Sequence, residues 1–329
     1  MVTILDVARV AGVSKSTVSR VLDERLPRST SATAERVRRI ATELGYVRDP
    51  LASGLRRSGT NTIGVIVPRL TEPVMAMFYE EIAAAAAARG LFAVVATTED
   101  ELEPEVRAVQ SLVRRRVDAL VLTTARLQPP PVVPPAEVTR VLALRTDGIA
   151  PAALGDDRLG ARLATRHLVD LGHRRIGLVN GPGFASSTVA RRAGYEDALA
   201  EAGIAPDPTL VTGDSFSIEA GEVAGRRLLG GADRPTAVFA INDNNAIGVM
   251  AAALALGLRV PEDVSIVGYN DIPVVSRLPV PLTTVRVPFG QIAADALRLV
   301  LEADREDCPR LLVSAPTLIP RASTTAPAH

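Results

Sequence analysis

The sequence predicts an α/β protein with a small all-α head: a helical amino-terminal segment, a short linker, and a long body of doubly wound parallel sheets. Three observations predict it. Up to about residue 45, apolar residues recur at helical spacing in short runs punctuated by glycine and serine. From Thr62 onward, short continuous apolar runs alternate with helical stretches, as strands buried on both faces of a parallel sheet require. Charge divides in the same way. Residues 1–60 hold 11 basic and 6 acidic side chains and the remainder 26 and 31, so a basic head joins an acidic body in a chain of zero formal charge. A length of 329 residues suits two or three domains.

The head is expected over residues 1–45. "ILDVARVA" places Ile4, Val7, Ala8 and Ala11 on one helix face, and Gly12 supplies a tight turn. Ser14 can cap a second helix, with Thr17 three positions on. Laid on that helix, Lys15, Ser16, Ser19, Arg20 and Asp23 fall within one arc of about 140°, opposite Thr17, Val18, Val21 and Leu22. Two short helices joined through glycine make a helix-turn-helix, whose second helix enters the major groove of DNA. A third helix follows in "TSATAERVRRIATELG": Thr30 is the expected cap, Val37, Ile40, Ala41 and Leu44 the buried stripe, and Gly45 the stop. The alternative is an ordinary amphipathic bundle with solvated charges. The basic balance and the polar arc starting at a helix amino terminus favour a DNA reader.

Lys15 is the single lysine of the chain; the other 36 basic side chains are arginines. It lies on the polar arc of the second helix, between two serines. That one fact also excludes chemistry in the body: no lysine is present there for a Schiff base or a GxxxxGK phosphate loop. No GxSxG elbow occurs, and His167, His173 and His329 lack zinc-ligand spacing. Cys308 has no neighbouring histidine. Neither an enzyme nor a cofactor or metal is expected.

Residues 46–60 are expected to be a linker. Pro50 fits the first turn of a short helix, with Leu51, Ala52 and Leu55 on one face and Gly54 weakening it. In the body, residues 61–329, the runs "TIGVIVP", "FAVVATT", "DALVLTT", "RVLAL", "RIGLVNG", "AVFAIN" and "VSIVGY" read as strands, each followed by a helical stretch. "RLQPPPVVPPAEV" reads as a surface loop and "LIPRASTTAPAH" as a polar tail without heptads, so no carboxyl-terminal coiled coil is expected. The amino terminus lacks a signal-peptide core, the longest apolar run is 13 residues, and a lone cysteine suits a reducing compartment. A cytoplasmic protein without membrane association is expected.

These segments carry a resemblance. "TILDVARVAGVSKSTVSRVLD", "LGYVRDPLASGLR", "HLVDLGHRRIGLVNGP", "ARRAGYEDAL", "FAINDNNAIGVM", "VSIVGYNDIP" and "PLTTVR" occur in family order over nearly the whole chain, which resembles the LacI/GalR family of bacterial transcription repressors. The resemblance implies a homodimer on a pseudo-palindromic double-stranded operator. Lys15, Ser16 and Arg20 would read bases, and Ser14, Thr17 and Ser19 would contact phosphates. Ala52 and Leu55 would pack the hinge into the minor groove, where Asp49 stands in place of the usual asparagine. It also implies a periplasmic-binding-protein-like body of two lobes, about 61–155 with 286–312 and about 156–285 with 313–329, joined near residues 155, 285 and 313.

A small-molecule effector would bind between those lobes, at the carboxyl ends of strands. Arg145, Arg191, Phe216, Asn242, Asp243 and Asn270 are the expected contacts. Arg191 can alternatively pair with a nearby acid, and Asn242 or Asp243 can cap the next helix. Val74 and Met75 stand where many members have aromatics, and Leu144 where an acid is frequent, so the pocket reads as less acidic than in common sugar-responsive members. Carbohydrate is the leading effector class. A nucleobase, a nucleoside or an acidic metabolite is the alternative, as is a binding module without DNA function.

Overall fold

The structure, a computed structural model, describes residues 2–22, 29–46, 59–128, 132–303 and 310–327. The chain divides into two compact units, residues 1–60 and 61–329. The expectations placed on Asp23, Asp49, Pro50, Leu51, Ala52, Gly54, Leu55, Cys308 and His329 lie outside the described residues.

The first unit contains α1 (Ile4–Ala11), α2 (Lys15–Val21) and α3 (Ala32–Glu43). A reciprocal cap starts α1: the Asp6 amide donates to Thr3 Oγ1, and the Thr3 amide donates to the Asp6 carboxylate at 2.9 Å. Gly12 ends the helix at φ 65, in the left-handed region where a side chain would be strained. Two residues later the Ser14 hydroxyl accepts the Thr17 amide proton at 3.1 Å and starts α2. Helix α3 is capped by Ser31 and not by Thr30: the Ser31 hydroxyl accepts from the Ala34 amide at 3.3 Å, the spacing a cap needs. Val7, Ala8, Ala11, Val18, Val37, Ile40 and Ala41 form the core. Ala34 joins the α3 stripe, and Leu44 is half-buried.

The second unit holds two parallel sheets. The first is built from β1 (Thr62–Val67), β2 (Phe92–Thr97), β3 (Ala119–Leu122), β4 (Thr139–Ala143), β5 (Ala152–Gly155) and β11 (Leu311–Ser314), in the order β11-β5-β4-β3-β1-β2. The second is built from β6 (Ile176–Val179), β7 (Val211–Thr212), β8 (Ala237–Ala240) and β9 (Ser265–Val267), in the order β7-β6-β8-β9. Strands β3, β6 and β8 are buried along their whole length, which is why their sequences are continuous apolar runs. Helices α4 (Pro73–Ala87), α5 (Leu102–Arg114) and α10 (Phe289–Leu301) accompany the first sheet. Helices α6 (Asp157–Asp170), α7 (Ser186–Glu201), α8 (Ile218–Leu229) and α9 (Asp243–Ala255) accompany the second.

The chain passes between the lobes after Gly155, after β10 (Thr284–Arg286) and before β12 (Thr317–Ile319); β10 and β12 pair antiparallel. Since β11 runs to Ser314 within the first sheet, the third passage falls just beyond it.

Two expectations change here. Among the described residues no helix follows β3 or β4; loops containing Pro134 and Pro135 and the 144–151 segment carry the chain on, and proline lacks the amide proton a helix or ladder needs. The segment after β12 is not a free polar tail. Ser323 is fully buried, donating to the Ile266 carbonyl at 2.6 Å and accepting from the Thr283 amide at 2.8 Å. The Thr325 carbonyl lies 2.8 Å from His173 Nε2.

Candidate functional site

On α2 of the first unit, Lys15, Ser16 and Arg20 are exposed. The helix is oriented by its apolar side, where Val18 is buried and Val21 half-buried, so the polar side faces solvent. Ser14 is exposed at the helix start, and its hydroxyl lies 2.8 Å from both the Ser16 and the Thr17 hydroxyls. Thr17 and Ser19 are half-buried on the flanks. One helix terminus thus gathers three hydroxyls and a set of amide donors beside two cations, which is chemistry suited to phosphate oxygens and base edges.

In the second unit a cleft open to solvent is lined by residues from both lobes. Arg145, Arg191, Phe216, Asn242 and Asn270, five of the six expected contacts, face it together. Their positions follow from the strand ends. Arg145 follows β4, Asn242 follows β8, Asn270 follows β9, and Arg191 lies one turn inside α7. Asn242 caps α9, its Oδ1 accepting the Asn245 amide proton at 2.8 Å while its Nδ2 donates to the Phe216 carbonyl at 3.0 Å. Asn270 adopts φ 115, a conformation asparagine tolerates better than most residues, and is nine-tenths buried.

Asp243 is placed elsewhere. It is fully buried behind the wall, accepting from the Ile272 amide at 2.8 Å and the Thr284 hydroxyl at 2.6 Å. It ties α9 to the β9 loop and to the passage strand β10. Burial pushes its carboxyl up to about 7, against the pull of those hydrogen bonds.

Arg191 is buried, its Nε donating to Asp157 at 2.8 Å and its Nη1 to the Ile241 carbonyl at 2.8 Å, with the guanidinium 3.8 Å above the Tyr269 ring. Arginine stays protonated in proteins, so its charge favours the ionised form of Asp157. Burial raises the Asp157 carboxyl, and Arg191 opposes that rise. Gly194 makes this contact possible: a Cβ there would run into the Arg158 carbonyl, so only glycine lets α7 and α6 approach closely enough. Arg145 donates to both oxygens of Asp100, at 3.1 and 3.0 Å, and stands over the Phe216 ring.

The sequence reading missed Glu72, Asp157, Ser187, Asn244 and Phe289, all of which face the cleft. Asp157 lies two residues beyond β5, a strand that was not recognised; the rule that ligands sit at strand ends would have found it. Glu72 and Asp157 thus add two acids to a lining that also holds Arg145 and Arg191. On the rim, the Leu127 amide donates to the Phe184 carbonyl at 2.9 Å and the Thr146 amide to the Ser186 hydroxyl at 2.8 Å, each bond joining one lobe to the other.

A helix-turn-helix with an exposed polar face, in one chain with a two-lobed body around a small-molecule-sized cleft, defines a class: DNA-binding transcription regulators with a periplasmic-binding-protein-like body. Residues 3–49 match the family of bacterial regulatory proteins called lacI, and residues 165–324 match the periplasmic binding protein-like domain. The chain is 35% identical to the transcriptional regulator GalR of Escherichia coli strain K12, over 99% of this chain and 97% of that one. It is also 35% identical to the ribose operon repressor of the same strain, over 90% of this chain and 92% of that one. Its fold is similar to that of the lac repressor dimer bound to operator and the anti-inducer ONPF, with TM-score 0.86, 28% identity and 99% of each chain covered. The chain belongs to the lacI family of bacterial regulatory proteins.

Proposed function

We propose that this protein is an effector-controlled repressor, a cytoplasmic homodimer that binds a pseudo-palindromic operator and has no enzymatic role. Residues 1–45 bind DNA, 46–60 form the hinge with Ala52 and Leu55 in the minor groove, and 61–329 bind the effector and dimerise. Lys15, Ser16 and Arg20 read bases, while Ser14, Thr17 and Ser19 position the helix on phosphates. The observation that carries the reading is the convergence of five residues from five separated segments on one cleft with arginines from both lobes, Arg145 and Arg191. A ligand touching both lobes stabilises one lobe arrangement over the other, and that difference is what can be transmitted to the operator.

Carbohydrate is the effector class the cleft suits best. Neutral amides of Asn242, Asn244 and Asn270 and the Ser187 hydroxyl supply donors and acceptors, and Phe216 and Phe289 supply faces for a sugar ring. The ribose operon repressor among its relatives supports the same class. Operator binding by the full chain, titrated with a sugar panel, tests it. A sugar that shifts the isotherm at least about tenfold, or ~1.4 kcal/mol, is expected; operator affinity indifferent to every sugar would remove carbohydrate as the class.

A further inference from the structure

Ionisable groups in the cleft are paired with one exception. Arg191 meets Asp157, and Arg145 meets Asp100, which stands behind it. The nearby cation Arg126 lies outside the lining, 3.5 Å from Asp100 and over the Phe184 ring at 4.6 Å. Glu72 lines the cleft half-buried at the start of α4, yet its side chain caps no helix amide and has no ion-pair or hydrogen-bond partner among the described residues. Elsewhere in the lining, Asn244 and the nine-tenths-buried Asn270 likewise have side chains without a protein partner among the described residues. A carboxylate accepts only, and an amide both donates and accepts. The unspent capacity of the cleft therefore combines one anionic acceptor with neutral amides, and each lining arginine already faces an acid.

We propose that Glu72 sets the charge specificity of the cleft: the effector offers hydroxyl donors to this carboxylate, as a neutral polyol does, and an anionic group at that place is rejected. The inference rests on the effector reading above and narrows it, removing the acidic metabolite from the candidate classes. Two adjacent hydroxyls can bridge the two carboxylate oxygens, a charge-assisted arrangement about twice as strong as neutral hydrogen bonds. A phosphate or carboxylate there would meet like charge in a partly dehydrated site, where Arg145, the lining cation that acts on Glu72, is already engaged by Asp100.

The test uses matched neutral and anionic probes with the full chain on its operator: ribose and ribose 5-phosphate, galactose and galacturonate, cellobiose and cellobionate, adenosine and adenosine monophosphate. The neutral member of at least one pair is expected to shift operator binding and melting temperature, with its anionic mate weaker by about tenfold or more. Glu72→Gln should bring that ratio towards one, and Glu72→Asp, which keeps the charge, should preserve it. An anionic mate that acts as strongly as its neutral partner, or a ratio unmoved by Glu72→Gln, overturns the assignment while leaving effector control standing. Operator binding and melting indifferent to all eight compounds would overturn the effector reading and this inference with it.

Discussion

Single side chains differ in whether their chemistry is spent inside the fold or left outside it. Lys15 and Arg20 are exposed, so their replacement tests recognition and hardly disturbs stability. Lys15→Ala should relax preference at particular operator positions, by ~1–3 kcal/mol of discrimination, because base edges carry the code. Ser19→Ala should weaken all sequences alike, since phosphates carry none. A binding selection that returns the same preferred sequence for Lys15→Ala as for the parent would sink the reading role of this lysine. Asp243 is the opposite case, spent wholly inside. Its carboxyl is raised from an ordinary 3.8 to about 7 by burial, so between those values the folded state holds a proton that the unfolded chain has released. Its contribution to stability is full below the unfolded value and declines as pH rises towards 7. Asp243→Asn should flatten this fall, a difference on the order of a few kcal/mol across the interval. Chemical denaturation of both proteins at pH 5 and pH 7 measures it, and parallel losses in the two would show that the proton is not on Asp243. The sequence placed Asp243 beside Asn242 as an effector contact because both end the same strand run. One residue along a helix start turns the side chain by ~100°, from the cleft to the interior, and that rotation cannot be read from strand ends alone.

At the scale of elements, legibility followed burial. The runs "TIGVIVP", "DALVLTT", "RIGLVNG", "AVFAIN" and "VSIVGY" were readable because a strand covered on both faces must be apolar throughout. Strand β5, "AALG", is too short and too small-sided to stand out from an alanine-rich background, so Asp157 at its end was not recognised. Strand β7 has two residues and offers no period to detect. The cap of α3 was displaced by one residue because Thr30 and Ser31 offer the same hydroxyl chemistry, and only backbone geometry chooses between them. Gly194 could be seen in the sequence, but not its consequence. It lets α6 pass against α7, and that approach holds Asp157 to Arg191. Gly194→Ala should force the helices apart, costing ~1–3 kcal/mol as overpacking commonly does. It should also weaken the effector response, since the Arg191 guanidinium moves with α7. A variant with parental melting temperature and response would show that the carbonyl of Arg158 yields at little cost.

For the whole molecule, the governing facts are two separate cores and two opposite charges. Val7, Val18, Val37 and Ile40 close the core of the first unit without any residue from beyond Thr60. The body has its own buried clusters among the described residues. Residues 1–60 carry a net charge of +5 and the remainder −5, so the attraction to DNA is expected to come from the first unit. A chain of residues 61–329 should therefore fold, melt cooperatively and respond thermally to the effector, yet show no operator binding at any salt concentration. The full chain should lose affinity linearly with the logarithm of salt, because each phosphate contact releases condensed counterion. Lys15→Ala should make that slope shallower only if the lysine also touches phosphate. An unchanged slope with altered base preference would place it wholly on base edges. If the truncated chain still retarded the operator in a gel, the acidic unit would have to hold a DNA-binding surface, and the division of labour by charge would be wrong.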